Sequence, residues 1–313
     1  MQKILVTGAF GQIGSELTPA LQAKYGADNV IALGHSNIPP SFKGVVETAE
    51  ITDMVALEAV ITKYHIDTVF HLVSILSAKG EKDPSLTWKI NMEGLKNVLD
   101  LAVKHKLQVF WPSTIAAFGP TTPKDLTPQD TIMQPTTMYG VSKVAGENLC
   151  HYYFLKYGVD VRSVRYPGVI SWKTPPGGGT SDYAVAIFYE GLKSGKYECF
   201  VNEKTTIPMM YIDDAIRGTI EIMEAPKEKV ALGLSYNLAA ISFSAEELAT
   251  EVNKHLKVDV TYKPDYRQTI ADSWPKSLDD SKARTDWGWK HEIDLTKMTT
   301  IMIDALKENL PNG

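Results

Sequence analysis

The stretch KILVTGAFGQIGSEL, Lys3–Leu17, decides the fold. KILVT, Lys3–Thr7, is almost wholly aliphatic or β-branched, as in a strand covered on both faces. Gly8, Gly11 and Gly14 follow at three-residue intervals, and an amphipathic segment starts at once. This order places a tight turn, a close backbone approach and a helix N-terminus at one point, and a pyrophosphate binds there. Gln12 and Ile13, between the last two glycines, are assigned to the same cofactor site.

Working outward, short β-branched runs alternate with longer amphipathic stretches, the pattern of βαβ units around a parallel sheet. Further strands are predicted at Asn29–Leu33, Gly44–Thr48, Asp67–Val73, Gln108–Pro112 and Val159–Tyr166, with helices near 12–25, 53–64, 84–105 and 138–157. The fold class is therefore α/β, a doubly wound parallel sheet of Rossmann-like type with a smaller C-terminal substrate lobe. Glycine and proline become dense at 167–179. The boundary is placed there: residues 1–166 bind the dinucleotide, and 167–313 form the lobe, with about 205–240 returning to the main sheet. A strand near 235–240 and helices near 244–255, 279–286 and 294–309 complete the chain.

The chain has 313 residues, 44% of them hydrophobic, and a net charge of −5 with its Lys and Arg dispersed. No basic footprint for nucleic acid or an anionic membrane is visible, so a small-molecule ligand is expected. Cys150 and Cys199 are read as unpaired thiols, and the seven histidines never fall in a metal-ligand spacing. No metal is expected. The opening strand and the lack of a long apolar run point to a cytoplasmic location.

The acid that meets an adenosine ribose is expected about 20 residues beyond the glycines, yet the segment reads IALGHSN. Gly34, His35 and Ser36 stand there, and His35 and Ser36 are assigned to the cofactor. NAD is preferred to NADP because neither Arg nor Lys is present. Glu50 and Ile51, after the third strand, are placed at the adenine, and Asp53 fits either that role or a helix cap.

Tyr139 and Lys143 in MYGVSKVAGE lie one helical turn apart on one face. A phenol serves as a base near neutral pH only where its anion is stabilised, and an adjacent ammonium does this. About 25 residues upstream, WPSTIAAFG sets Ser113 and Thr114 at the carboxyl end of a strand, where ligands of doubly wound sheets bind.

Glycine triplet, strand-end hydroxyls and Tyr-Lys helix, in this order, resemble the extended short-chain dehydrogenase/reductase family over nearly the whole chain. That resemblance implies that Thr114, with Ser113 beside it, orients the reacting oxygen, that Tyr139 transfers its proton, and that Lys143 also holds the nicotinamide ribose. Asn91 in KINMEGLKNVL matches the family's helix asparagine, and Tyr166 is assigned to the cofactor site.

The segments FWPSTIAAFGPTTP, KTPPGGGTSDYAV, PMMYIDDAIR and PDYRQTIADSWP are similar to the short-chain type of L-threonine 3-dehydrogenase. This implies NAD-dependent oxidation of the threonine 3-hydroxyl to 2-amino-3-ketobutyrate, and a homodimer formed through the helices near 84–105 and 138–157. Asp182 is the candidate partner for the substrate ammonium, with Thr180, Ser113 and Ser77 supplying hydroxyls. Trp274 is expected either to close over the pocket or to sit in the core. The rival readings are a nucleotide-sugar epimerase or dehydratase and a non-enzymatic dinucleotide sensor. Arg217 is the single arginine between 167 and 225, which leaves no diphosphate-binding cluster there.

Overall fold

The computed structural model describes residues 1–35 and 38–309. The strands run β1 Ile4–Thr7, β2 Val30–Gly34, β3 Val45–Thr48, β4 Thr68–His71, β5 Gln108–Phe110, β6 Ser113–Thr114, β7 Val161–Tyr166, β8 Gly168–Ile170, β9 Lys196–Cys199, β10 Thr206–Tyr211, β11 Ser235–Asn237, β12 Ile241–Ser244 and β13 Asp259–Tyr262. The main sheet has the order β11-β7-β5-β4-β1-β2-β3, and β6 adds to β7. All of these pairings are parallel.

Successive strand side chains point to opposite faces, and the core divides accordingly. Ile4, Val6, Phe70 and Phe110 pack with Leu17 and Leu21 of helix Gly14–Tyr25 and with Ala215 and Ile222 of helix Ile212–Glu224. Leu5, Val69, Val109 and Val161 pack on the other side with Leu57 and Ile61 of helix Met54–Tyr64 and with Leu95, Val98 and Leu99 of helix Gly94–His105. Both faces are covered, which is why these strands read as unbroken apolar runs.

Two parts of the organisation differ from the sequence reading. β10 does not join the main sheet; it pairs with β8 and β12 in a three-stranded sheet, and of the segment 205–240 only β11 adds a strand to the main one. An apolar run reports burial, not which sheet does the burying. The expected single helix near 84–105 is a chain of three pieces: Pro84–Trp88, a π turn at Lys89–Glu93, and Gly94–His105. Two short strands, β9 and β13, form a separate parallel pair. Among the described residues no helix is long and apolar enough to cross a membrane.

The order reverses between β1 and β4, so the connections after these strands part and leave a crevice at their carboxyl ends. The glycine triplet follows β1, Leu72–Ser77 follow β4, Ser113 and Thr114 follow β5, and Pro167 follows β7.

Candidate active site

Gly8 has φ +71°, and a Cβ built on Gly14 would stand 2.2 Å from the Gly8 carbonyl oxygen. Only glycine permits that left-handed turn and that approach of helix to loop. Gly11 donates its amide to the Gly8 carbonyl at 3.0 Å, which closes the turn. The adjoining cavity is lined by Gly8, Gly11, Gly34, His35, Glu50 and Ile51. Leu72 and Ser74 line both this cavity and the one that holds Tyr139, so the two form one trough along the crevice. The Ser74 hydroxyl and His71 Nε2 are buried without a partner. A glycine cradle at a helix start and orphaned polar atoms beside the trough fit a dinucleotide.

His71 Nδ1 meets the Thr7 hydroxyl at 2.8 Å. Burial, and then the charge of Lys143, holds the His71 imidazole down to about 3, so it is neutral near pH 7.

The helix Met138–Tyr157 is capped by Thr137, whose hydroxyl accepts from the Gly140 amide at 3.1 Å. It carries Tyr139 and Lys143 to the crevice wall, as the spacing predicts. Lys143 Nζ donates to the Pro112 carbonyl at 2.6 Å and lies 4.4 Å from the Trp111 ring centre. Burial lowers Lys143 to about 7, although Cys150 and Glu147 oppose the shift. Burial also pushes the Tyr139 phenol up to about 12, and a hydrogen bond with Thr114 acts in the opposite direction. Thr114, rather than Ser113, is thus the hydroxyl that addresses the phenol.

Ser113 has another task. Its hydroxyl donates to Glu147, four residues past Lys143 on the same helix. Arg165 of β7 grips that carboxylate through Nε at 2.9 Å and Nη2 at 2.8 Å, and its Nη1 donates to the Gln129 carbonyl and to Asn237 Oδ1. Glu147 and Arg165 are 7% and 4% exposed. This buried pair ties the strand ends to helix Met138–Tyr157, and Ser113, bound in this way to Glu147, also lines the cavity around Tyr139.

The cavity around Tyr139 measures about 150 Å³, and its wall includes Ser77, Thr114, Lys143, Thr180, Asp182 and Trp274. Gln12 and Ile13 also reach it, and Gln12 Nε2 donates to the Val169 carbonyl at 3.1 Å. The Thr180 hydroxyl is buried without a partner. Asp182 Oδ2 accepts from the amides of Gly177 at 2.7 Å and Gly179 at 2.8 Å, so one carboxylate closes the glycine run into a ring. Trp274 is 7% exposed and lines the cavity, with its carbonyl and that of Ser273 held by Lys124 Nζ at 3.2 and 2.7 Å.

Several assigned residues have other partners. Asn91 sits in the π turn, where its amide exchanges hydrogen bonds with the Ile75 backbone and donates to Ser142 at 3.0 Å. Ser142 in turn donates to the Tyr139 carbonyl at 2.7 Å. Asn91 therefore ties the loop after β4 to helix Met138–Tyr157, and both of its amide donors are engaged there. The Tyr166 hydroxyl is hydrogen-bonded to Thr219, and the residue, at the end of β7, also lines the cavity around Tyr139. Asp53 caps helix Met54–Tyr64 by accepting from the Ala56 amide. Ser36 lies outside the described residues. The sequence reading missed Ser74, although its place just past β4 is a usable signal, and Glu147, whose signal is its i,i+4 spacing from Lys143.

The sequence profile of the NAD dependent epimerase/dehydratase family matches residues 4–239. A mitochondrial L-threonine 3-dehydrogenase of Bos taurus is 48% identical over 308 residues, which is 97% of this chain and 82% of that protein. A monomeric L-threonine 3-dehydrogenase from a metagenome has a TM-score of 0.95 at 50% identity, covering 97% of this chain and 99% of the other. A UDP-glucose 4-epimerase of Thermotoga maritima has a TM-score of 0.85 at 21% identity, covering 99% of this chain and all of the other, and shares the fold. With its glycine cradle, its Tyr-Lys helix and a profile match over three quarters of its length, the chain belongs to the NAD dependent epimerase/dehydratase family.

Proposed function

We propose that the chain is an NAD-dependent L-threonine 3-dehydrogenase, which oxidises the substrate's 3-hydroxyl to give 2-amino-3-ketobutyrate. The observation that carries this reading is the small cavity in which the Tyr139 and Thr114 hydroxyls share a wall with the unpartnered Thr180 hydroxyl and Asp182. A carboxylate at Asp182 suits the ammonium that an amino acid carries and a UDP-hexose lacks. The arginine that might have read a diphosphate, Arg217, is engaged by Asp214, Glu221 and the Lys290 carbonyl outside this cavity.

Thr114 steadies the substrate's 3-hydroxyl, and Tyr139 Oη takes its proton. Lys143, held at about 7 by burial while the phenol is neutral, is kept protonated by the phenolate as that anion forms, and the ammonium stabilises it in return. NAD, when bound, supplies the acceptor for the hydride from Cβ and a positive charge beside the phenol. Gly8, Gly11 and Gly14 with the amides of Gln12 and Ile13 hold its pyrophosphate, while Lys143 holds the nicotinamide ribose. Asp182 receives the substrate ammonium, and Thr180 and Ser77 orient its carboxylate. Trp274 closes the far wall.

NADH formation at 340 nm with L-threonine, a panel of 2- and 3-hydroxy acids and UDP-glucose tests the reading. Turnover of threonine alone is the expected result, and its absence at pH 9 would refute it. A homodimer is also proposed, because Val103, Val141, Tyr152, Leu155 and Tyr157 leave exposed apolar surface on helices Gly94–His105 and Met138–Tyr157. Light scattering coupled to size exclusion reads a dimer mass if this holds and a monomer mass if it does not.

A further inference from the structure

Two irregular segments far apart in the chain, residues 119–129 and 274–279, run side by side. The Lys124 carbonyl accepts from the amides of Lys276 at 2.7 Å and Ser277 at 3.2 Å. The Thr127 amide donates to the Ser277 carbonyl at 2.9 Å, and the Thr127 carbonyl accepts from the Asp279 amide at 3.0 Å. A side-chain charge also crosses between the segments. Lys124 Nζ donates to the carbonyls of Ser273 at 2.7 Å, Trp274 at 3.2 Å and Gly119 at 3.4 Å, which uses all three protons of an ammonium. Ser273 ends helix Arg267–Ser273, where carbonyls lack an amide partner within the helix, so Lys124 caps that end from about 150 residues away.

The capped end leads into the substrate cavity. Trp274 is the largest side chain in the wall around Tyr139, whereas Lys124 lies outside that wall. On the threonine reading, Tyr139 and Thr114 meet the hydroxyl, Asp182 the ammonium, and Thr180 and Ser77 the carboxylate. What remains of the substrate is its methyl group, and the broadest apolar surface offered to it is the indole. We propose that Lys124 is a positioning residue for substrate size: by clamping the Ser273 and Trp274 carbonyls it fixes the indole against the threonine methyl, and so limits the group on the reacting carbon. Without the clamp the helix end loosens, the indole gives way, and room opens for a longer group.

Initial rates of NADH formation give kcat/KM for L-threonine and for 2-amino-3-hydroxypentanoate, its homologue longer by one methylene. An extra methylene in a fitted pocket costs about tenfold or more, so the wild type prefers threonine by at least that factor. Lys124→Met keeps the aliphatic stem without the charge and lowers the preference by at least about threefold. Lys124→Cys alkylated with 2-bromoethylamine regains an ammonium at the same reach, while Cys150 and Cys199 stay buried, and its preference returns to within about twofold of wild type. Lys124→Gln retains two donors, moves the preference the same way by less, and serves if Lys124→Met does not fold. Trp274→Phe lowers it with the clamp intact. A merely structural defect slows both substrates alike and leaves the ratio where it was. A ratio unmoved by the Lys124 variants or by Trp274→Phe, a ratio that alkylation does not restore, or a wild-type preference below about tenfold overturns the proposal alone. Oxidation of neither amino acid by the wild type overturns the threonine reading and the proposal with it.

Discussion

Removal of one buried carboxylate gives the sharpest test of how the site is held. Glu147 receives two hydrogen bonds from Arg165 and one from Ser113, with both charged groups almost wholly out of water. Glu147→Ala leaves the guanidinium buried, with only the Gln129 carbonyl and Asn237 Oδ1 to satisfy it. Breaking such a pair from one side costs about 3–5 kcal/mol. At about 2.1 cal/mol/K per residue, the 313-residue chain unfolds with an entropy near 0.66 kcal/mol/K, so Tm should fall by about 5–8 °C. Calorimetry measures it directly. Glu147→Met combined with Arg165→Met removes both charges and fills the space with apolar atoms, and it should recover at least half of that loss. The catalytic rate should fall in both variants, because Ser113 then no longer anchors the strand end that carries Thr114. If the single variant melts within about 1 °C of wild type, the size of an ordinary surface substitution, the network does not hold the site as argued.

Three further outcomes follow from the same geometry. Tyr139 stands near 12 in this structure, so its phenolate fraction grows about tenfold per pH unit below that value; kcat/KM for threonine should climb from pH 7 into the alkaline range. Tyr139→Phe should remove both that climb and nearly all turnover while NADH still binds with its wild-type Kd, and a retained alkaline rise would clear Tyr139 of the base role. Asp182→Asn should raise KM for threonine, read from initial rates, and leave the Kd of NADH unchanged; an unaltered KM would show that Asp182 serves the glycine loop alone. Gly14→Ala puts a methyl 2.2 Å from the Gly8 carbonyl, so NADH affinity measured by fluorescence should drop by at least tenfold, and wild-type affinity would contradict the close approach.

What the sequence revealed and what it hid have physical causes. The parallel sheet was legible because strands buried on both faces leave uninterrupted apolar runs, and the Tyr139–Lys143 pair because one helical turn fixes their separation. The π turn at Lys89–Glu93 was not: its residues are ordinary helix formers, and the extra residue that turns Asn91 toward Ile75 and Ser142 leaves no mark in periodicity. The partners of Ser113 and Tyr166 were equally hidden, because Glu147 and Thr219 reach them from elements 34 and 53 residues away. The pairing of β10 with β8 and β12 belongs to the same class, since strand propensity carries no record of neighbours.

The segment Leu72–Ser77 walls the trough at both ends, whereas His35 and Glu50 meet only its adenosine end and Thr180 and Asp182 only its catalytic end. Cofactor choice and substrate choice can therefore drift separately through those outlying residues. A change at Leu72 or Ser74 has no such freedom: it touches the rooms on both sides of a party wall, and selection on either ligand constrains it.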